Sequence, residues 1–141
     1  MTVTEWLYRA WNLKTEIAQL REELRAEEEK VTRIVAATDK PMVSSTKDPH
    51  RYDALADLSR QIENNICKRL RMLTDIQDAI ETVEDVRCRM LLRKRFIECK
   101  GWKRIASEMH YSERQIRRMC RKALQDITPY VEKKMSTNVR L

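Results

Sequence analysis

Apolar residues return every three or four positions through two long stretches of this chain, and that spacing admits one kind of element. The first stretch, a helix predicted over residues 4–36 and opened by Thr4, has two sets of heptad seam positions. One set is Trp6, Leu13, Leu20, Glu27 and Ile34; the other is Ala10, Ile17, Leu24, Val31 and Thr38. The second stretch, residues 51–83, repeats the design with Tyr52, Ser59, Ile66, Leu73 and Ile80, and with Leu55, Ile62, Arg69, Ile76 and Val83. Eight of ten positions are apolar in each stretch. A repeat of about 3.5 residues keeps one stripe of an α-helix turned toward a partner helix, whereas a strand repeats about every 2. One glycine and three prolines in 141 residues, with 6% aromatic against 36% charged, complete the case for an all-α chain.

Between the two stretches lies TDKPMVSSTKDPH, residues 38–50, with two prolines and a cluster of small polar residues. A loop of that length lets the second helix run back along the first, so residues 1–84 are predicted to form an antiparallel, coiled-coil-like hairpin. Such a hairpin buries one stripe per helix and is marginal alone; Val35, Leu58 and Leu70 extend its apolar surface. Two outcomes follow. The hairpin pairs with a second copy, giving a homodimer with a four-helix core, or it folds onto the rest of its own chain. Glu27 falls in the seam as a local weakening or a register device, and the run Glu27-Glu28-Glu29-Lys30 reads as a solvated face.

Charge changes sign along the chain. Residues 1–85 carry 13 Lys and Arg against 17 Asp and Glu, and residues 86–141 carry 16 against 5. The cationic surface is therefore C-terminal, and a polyanion is its natural partner. A helix is expected over 86–99, capped by Asp85 and ended by Gly101. Val86, Met90, Leu91, Phe96 and Ile97 are its packing residues, with Arg87, Arg89, Arg93, Lys94 and Arg95 between them. Trp102 then plugs a core or stands exposed to stack on a base. Ile105, Ala106 and Met109 make one short apolar stripe, which stops at His110-Tyr111, histidine being among the residues that tolerate φ > 0.

Ser112 and Gln115 have the spacing of a capping box and start a further helix. Its buried face is Ile116, Met119, Cys120, Ala123, Leu124 and Ile127; Glu113, Arg114, Arg117, Arg118, Arg121, Lys122 and Gln125 are left to water. After Thr128-Pro129 the helix is expected to stop, leaving residues 129–141 as a flexible tail in which Lys133, Lys134 and Arg140 touch a backbone or simply fray. A cationic second helix after a tight turn is the form in which a helix-turn-helix enters the DNA major groove. On that reading residues 85–128 are a DNA-binding domain for double-stranded DNA. Glu113, Arg114, Arg117 and Arg118 face base edges; Lys103, Arg104, Ser112, Arg121 and Lys122 hold phosphates.

The run from Leu91 to Leu124, LLRKRFIECKGWKRIASEMHYSERQIRRMCRKAL, resembles the last DNA-binding region of bacterial primary sigma factors, the part that reads the −35 element. Over most of its length the chain is similar to small phage and prophage regulators of the RinA and ArpU type. The matching residues are Arg95-Phe96-Ile97, the segment Trp102 to Ala106, Tyr111-Ser112-Glu113-Arg114, and Lys122-Ala123-Leu124. The resemblance implies a trihelical sigma-like helix-turn-helix behind a helical N-terminal half. It implies that Glu113, Arg114, Arg117 and Arg118 face the groove, and that the protein works in the cytoplasm of a bacterial host, with RNA polymerase a further candidate partner. Sigma factors have arginine then glutamate after the cap, whereas this chain has Glu113 then Arg114, so the fold is implied and the −35 sequence is not.

Enzymatic chemistry finds no support in the residues. A single glycine excludes a glycine-rich phosphate loop, and no Ser/His/Asp or Cys/His arrangement stands out. Cys67, Cys88, Cys99 and Cys120 are too far apart for a zinc site, with only His50 and His110 to help, and read as small buried thiols of a reducing cytoplasm. No cofactor, metal or membrane span is expected. Two rival functions remain open. One is a small terminase-like DNA-packaging protein, which also joins a helix-turn-helix to an oligomerising helical region; the other is an adaptor that grips RNA polymerase or another host protein.

Overall fold

The computed structural model describes residues 1–38 and 49–139, apart from the side chains of residues 34, 35, 37, 38, 49–52, 138 and 139. The expected loop, the seam assignments of Ile34, Thr38 and Tyr52, the stripe assignment of Val35, and the roles of His50 and Arg140 lie outside the described residues. Among the described residues every element is helical: α1 Val3–Thr38, α2 Pro49–Glu81, α3 Val86–Leu92, a π-helical turn Arg93–Ile97, α4 Trp102–Met109 and α5 Glu113–Val139. No described helix is long and apolar enough to cross a membrane.

Side-chain caps set most of the helix starts. α1 opens on Thr2 rather than Thr4: Thr2 Oγ1 accepts from Glu5 N–H at 3.1 Å, and Glu5 Oε2 accepts from Thr2 N–H at 3.0 Å. Thr2 and Glu5 have capping-box spacing, which satisfies two orphan donors where a cap at Thr4 would satisfy one. α2 begins at Pro49, whose fixed φ and missing N–H suit a first helical position. Asp85 caps α3 as its sequence predicts, Oδ1 accepting from Arg87 N–H at 2.9 Å and Cys88 N–H at 3.5 Å. These bonds hold its carboxyl below the usual range, with nearby Lys122 adding to the effect.

Three further expectations need correction. The helix expected over 86–99 loosens into a π turn at Arg93 and ends at Ile97, and the left-handed residue after it is Cys99, at φ 59°. Gly101 is extended (φ −72°, ψ 161°) and stands before α4, so it does not end the preceding helix. A helix end leaves carbonyls without intrahelical partners. Here Trp11 donates its indole N–H to the Arg95 carbonyl at 2.9 Å, Lys14 donates to the Ile97 carbonyl, and the Cys99 thiol lies 3.8 Å and 3.9 Å from the Ile97 and Phe96 carbonyls. The Lys100 N–H returns to the Lys94 carbonyl at 3.0 Å across left-handed Cys99, a local helix stop, and the partners drawn from α1 take up carbonyls that this stop leaves open.

The second correction concerns Pro129. α5 runs through it to Val139, so residues 129–139 are helix and not tail. A proline removes one backbone bond, but Val131 is fully buried and Tyr130 and Met135 pack on the core. Burying such side chains contributes roughly 1.5–3 kcal/mol each, enough to offset an interior proline at about 3. The third correction is to the cysteines: Cys88 and Cys120 are buried, but Cys67 and Cys99 are exposed. Burial raises both buried thiols, Cys120 to about 11.

The chain divides into two compact units, Met1–Lys14 with Met72–Leu141, and Thr15–Arg71. The boundary expected between residues 84 and 85 falls inside the first unit. That unit has two apolar clusters. In the larger, Trp6, Leu7, Ala10 and Leu13 of α1 and Ile76, Ala79 and Ile80 of α2 meet Leu92, Phe96, Ile97, Ala123, Ile127 and Val131. The smaller joins Leu91, Ile105, Ala106, Ile116 and Cys120, edged by Trp102, Met109, Tyr111, Met119 and Leu124.

In the second unit Ile17, Ile62 and Ile66 are buried, Arg69 pairs with Glu16 at 2.8 Å, and Glu28, Val31 and Thr32 line one shallow groove with Ala56 and Ser59. Those pairings run in opposite senses along α1 and α2. Every described seam position of both helices is buried or half-buried, Glu27 included; its Oε1 pairs with Lys30 at 3.1 Å and its Oε2 is buried without a partner. Leu58 and Leu70 stay exposed, at 39% and 36%.

Candidate nucleic-acid interface

α4 and α5 are joined by three residues. His110 takes the left-handed conformation (φ 60°, ψ 41°), its N–H and that of Tyr111 returning to the Ala106 carbonyl. The weak stop signal His110-Tyr111 thus acts as a left-handed cap would. Ser112 and Gln115 form the reciprocal pair their spacing predicts: Gln115 N–H donates to Ser112 Oγ at 3.2 Å, and Ser112 N–H to Gln115 Oε1 at 2.9 Å. Ser112→Ala is expected to lower stability by about 1 kcal/mol. Chemical denaturation reads this directly, and an unchanged midpoint would show that α5 starts without the cap.

From that start, Ile116, Cys120, Ala123, Ile127 and Val131 turn α5's buried face inward. The opposite stripe is Arg114, Arg118, Arg121 and Gln125, at i, i+4, i+7 and i+11, all exposed. Among the described residues Arg114, Arg118 and Arg121 have no ion-pair partner. Gln125 is uncharged, but its spacing puts it on the same stripe. Of the residues expected to face bases, Arg114 and Arg118 share this outer stripe. Arg117 is exposed on the flank toward α4, its guanidinium 5.8 Å from the centre of the Trp102 ring, and Glu113 is half-buried in the first turn, where a carboxylate favours the helix dipole.

Of the residues expected at phosphates, Lys103, Arg104, Ser112, Arg121 and Lys122 are all exposed. Lys122 lies on the flank opposite Arg117, close enough to Asp85 to lower that carboxyl. Arg104 approaches Glu108 at 3.5 Å.

The cations behind α5 are engaged within the protein. Arg87 lies 5.9 Å from the Tyr111 ring, Arg89 donates to the Val83 carbonyl at 3.1 Å, and Arg93 pairs with Glu81 at 2.8 Å. Arg95 donates to Tyr8 Oη and the Lys100 carbonyl at 3.0 Å and stacks on Trp102 at 4.3 Å and Trp11 at 4.9 Å. Trp102 is half-buried, packed on the smaller core and within reach of two guanidinium groups, those of Arg95 and Arg117.

Lys94 and Lys100 converge on Glu108, each at 2.9 Å, and hold its carboxyl down at about 2. Since the folded value lies below the ordinary 4.5, the stabilisation from Glu108 is present above that pH and is lost as pH falls toward 2. Glu108→Gln is expected to flatten that part of the stability–pH curve; parallel curves for the two proteins between those values would rule the network out as an acid-labile tie.

Among the described residues no group of three or more His, Cys, Asp or Glu side chains is placed to hold a metal ion. No protein family, curated protein or solved structure matches this chain.

Proposed function

We propose that this chain is a sequence-specific DNA-binding transcription regulator of the phage or prophage type, acting on double-stranded DNA in a bacterial cytoplasm. α4, the His110–Ser112 turn and α5 act as a sigma-like helix-turn-helix, with α5 inserted in the major groove. One observation carries the reading: among the described residues the outer stripe of α5 presents arginines without ion-pair partners, while Arg89, Arg93, Lys94 and Arg95 have partners within the protein. Solvated surface cations at helical spacing acquire carboxylate neighbours at little cost. A stripe kept free of them suits an anionic partner. Arg114 and Arg118 reach base edges, where a guanidinium can grip guanine O6 and N7 together; Arg121, Lys122, Lys103 and Arg104 hold phosphates and set the register.

Residues 15–71 serve as a hairpin for self-association. Only Ile17, Ile62 and Ile66 are buried among its described apolar side chains, with Leu58 and Leu70 exposed, and two such hairpins together cover more of both stripes. A dimer presents two α5 helices to two half-sites.

Fluorescence anisotropy on the gene's own upstream DNA and on scrambled DNA tests this. With six to eight phosphates neutralised by the dimer, log affinity should fall against log salt with a slope of roughly −5 to −7, and binding to the upstream DNA should survive salt that strips the scrambled duplex. A flat salt dependence would defeat the proposal.

A further inference from the structure

We infer that Arg117 forms a binding site for a backbone phosphate of DNA, held in place by the Trp102 ring and taking no part in reading bases. The inference rests on the reading of α5 as the helix that enters the groove.

Position comes first. Arg114, Arg118, Arg121 and Gln125 make the outermost stripe of α5, and Arg117 stands about 100° around the helix from Arg118, on the side of α4. When a helix lies in the major groove its outermost stripe meets the base edges, and its flanks pass the phosphates of the two strands. The flank toward α4 carries Arg117, with Glu113 one turn before it. The opposite flank carries Lys122, close enough to Asp85 to lower that carboxyl.

Orientation comes second. Glu113 lies one turn before Arg117, the arrangement in which a carboxylate and a following cation attract most strongly along a helix. Among the described residues the two form no ion pair, and the guanidinium is instead 5.8 Å from the Trp102 ring centre. A cation over an indole face is held by the ring quadrupole while its N–H edges stay available. Trp102 is itself fixed by Arg95 at 4.3 Å and by the smaller core, so Arg117 rests against an anchored surface. Restricting a long side chain before binding lowers the entropy lost when a phosphate oxygen is gripped. Trp102 is a positioning residue in this site.

The test uses the full chain with two duplexes, one scrambled and one selected as the tightest binder from a random pool, each titrated across a salt series. Arg117→Ala is expected to weaken both duplexes by the same factor, roughly tenfold, and to reduce the salt slope by about one per bound chain; Arg117→Lys, which keeps the charge, restores the slope. Loss on the selected duplex alone would make Arg117 a base reader, and no loss on either would remove it from the interface; both results overturn the inference. Should wild type select no duplex from the pool, sequence-specific regulation fails, and the response of the scrambled duplex still decides the phosphate site. Absence of binding to either duplex would sink both.

Discussion

A fragment spanning residues 85–141, which holds all of α3, α4 and α5, is expected to remain unfolded. Its larger core is built from both ends of the first unit: Trp6, Leu7 and Leu13 of α1, and Ile76, Ile80 and Val83 at or near the end of α2, are all buried against Phe96, Ile127 and Val131. Truncating one large core side chain costs about 2–5 kcal/mol, and a whole domain of this size is stable by only about 5–15. Losing six of them exceeds any margin. The fragment also loses the Trp11 and Lys14 donors at the end of the π turn, leaving the Arg95 and Ile97 carbonyls to water. Circular dichroism and amide exchange on the fragment test this, and a cooperative thermal transition would show that the smaller cluster suffices. In the full chain, Leu7→Ala alone should lower stability by about 2–5 kcal/mol, since Leu7 is 0% exposed. An effect below 1 would mean the start of α1 is merely laid against the core.

Replacing Arg118 with alanine should cost about 1–3 kcal/mol on a selected duplex and far less on a scrambled one, because a bidentate grip on a base is lost only where that base is present. Arg114→Ala should behave alike, and the double substitution should remove most discrimination between the two duplexes. Both side chains are exposed and lie away from α5's packing face, so folding should be unaffected. Equal losses on both duplexes would demote the outer stripe to an electrostatic clamp. The contrast with Arg117, expected to weaken both duplexes alike, is the sharpest available division of labour on this helix.

Much of this was legible in the chain itself. The heptad positions of both long stretches are buried or half-buried wherever they are described. The capping pairs at Asp85 and Ser112 sit where their spacing places them, and a third, Thr2 with Glu5, was open to the same reading. Arginine and lysine on the water-facing side of α5 follow from the 3.6-residue period alone. Such features are local: a cap spans three residues, and a stripe needs only the helix it belongs to.

What the sequence by itself determined, then, is that the chain is helical, where its caps fall, and which face of each helix is apolar. Tertiary structure decided which faces meet and which cations remain free. The Arg95 and Ile97 carbonyls find their partners in α1, and α5 passes Pro129 because Val131 has a core to enter. Arg93, Lys94 and Arg95 look like surface cations in the sequence, but their partners Glu81, Glu108 and Tyr8 lie 12, 14 and 87 residues away. Burial and ion pairing depend on what lies nearby in space, and chain neighbours a turn or two apart carry no record of it.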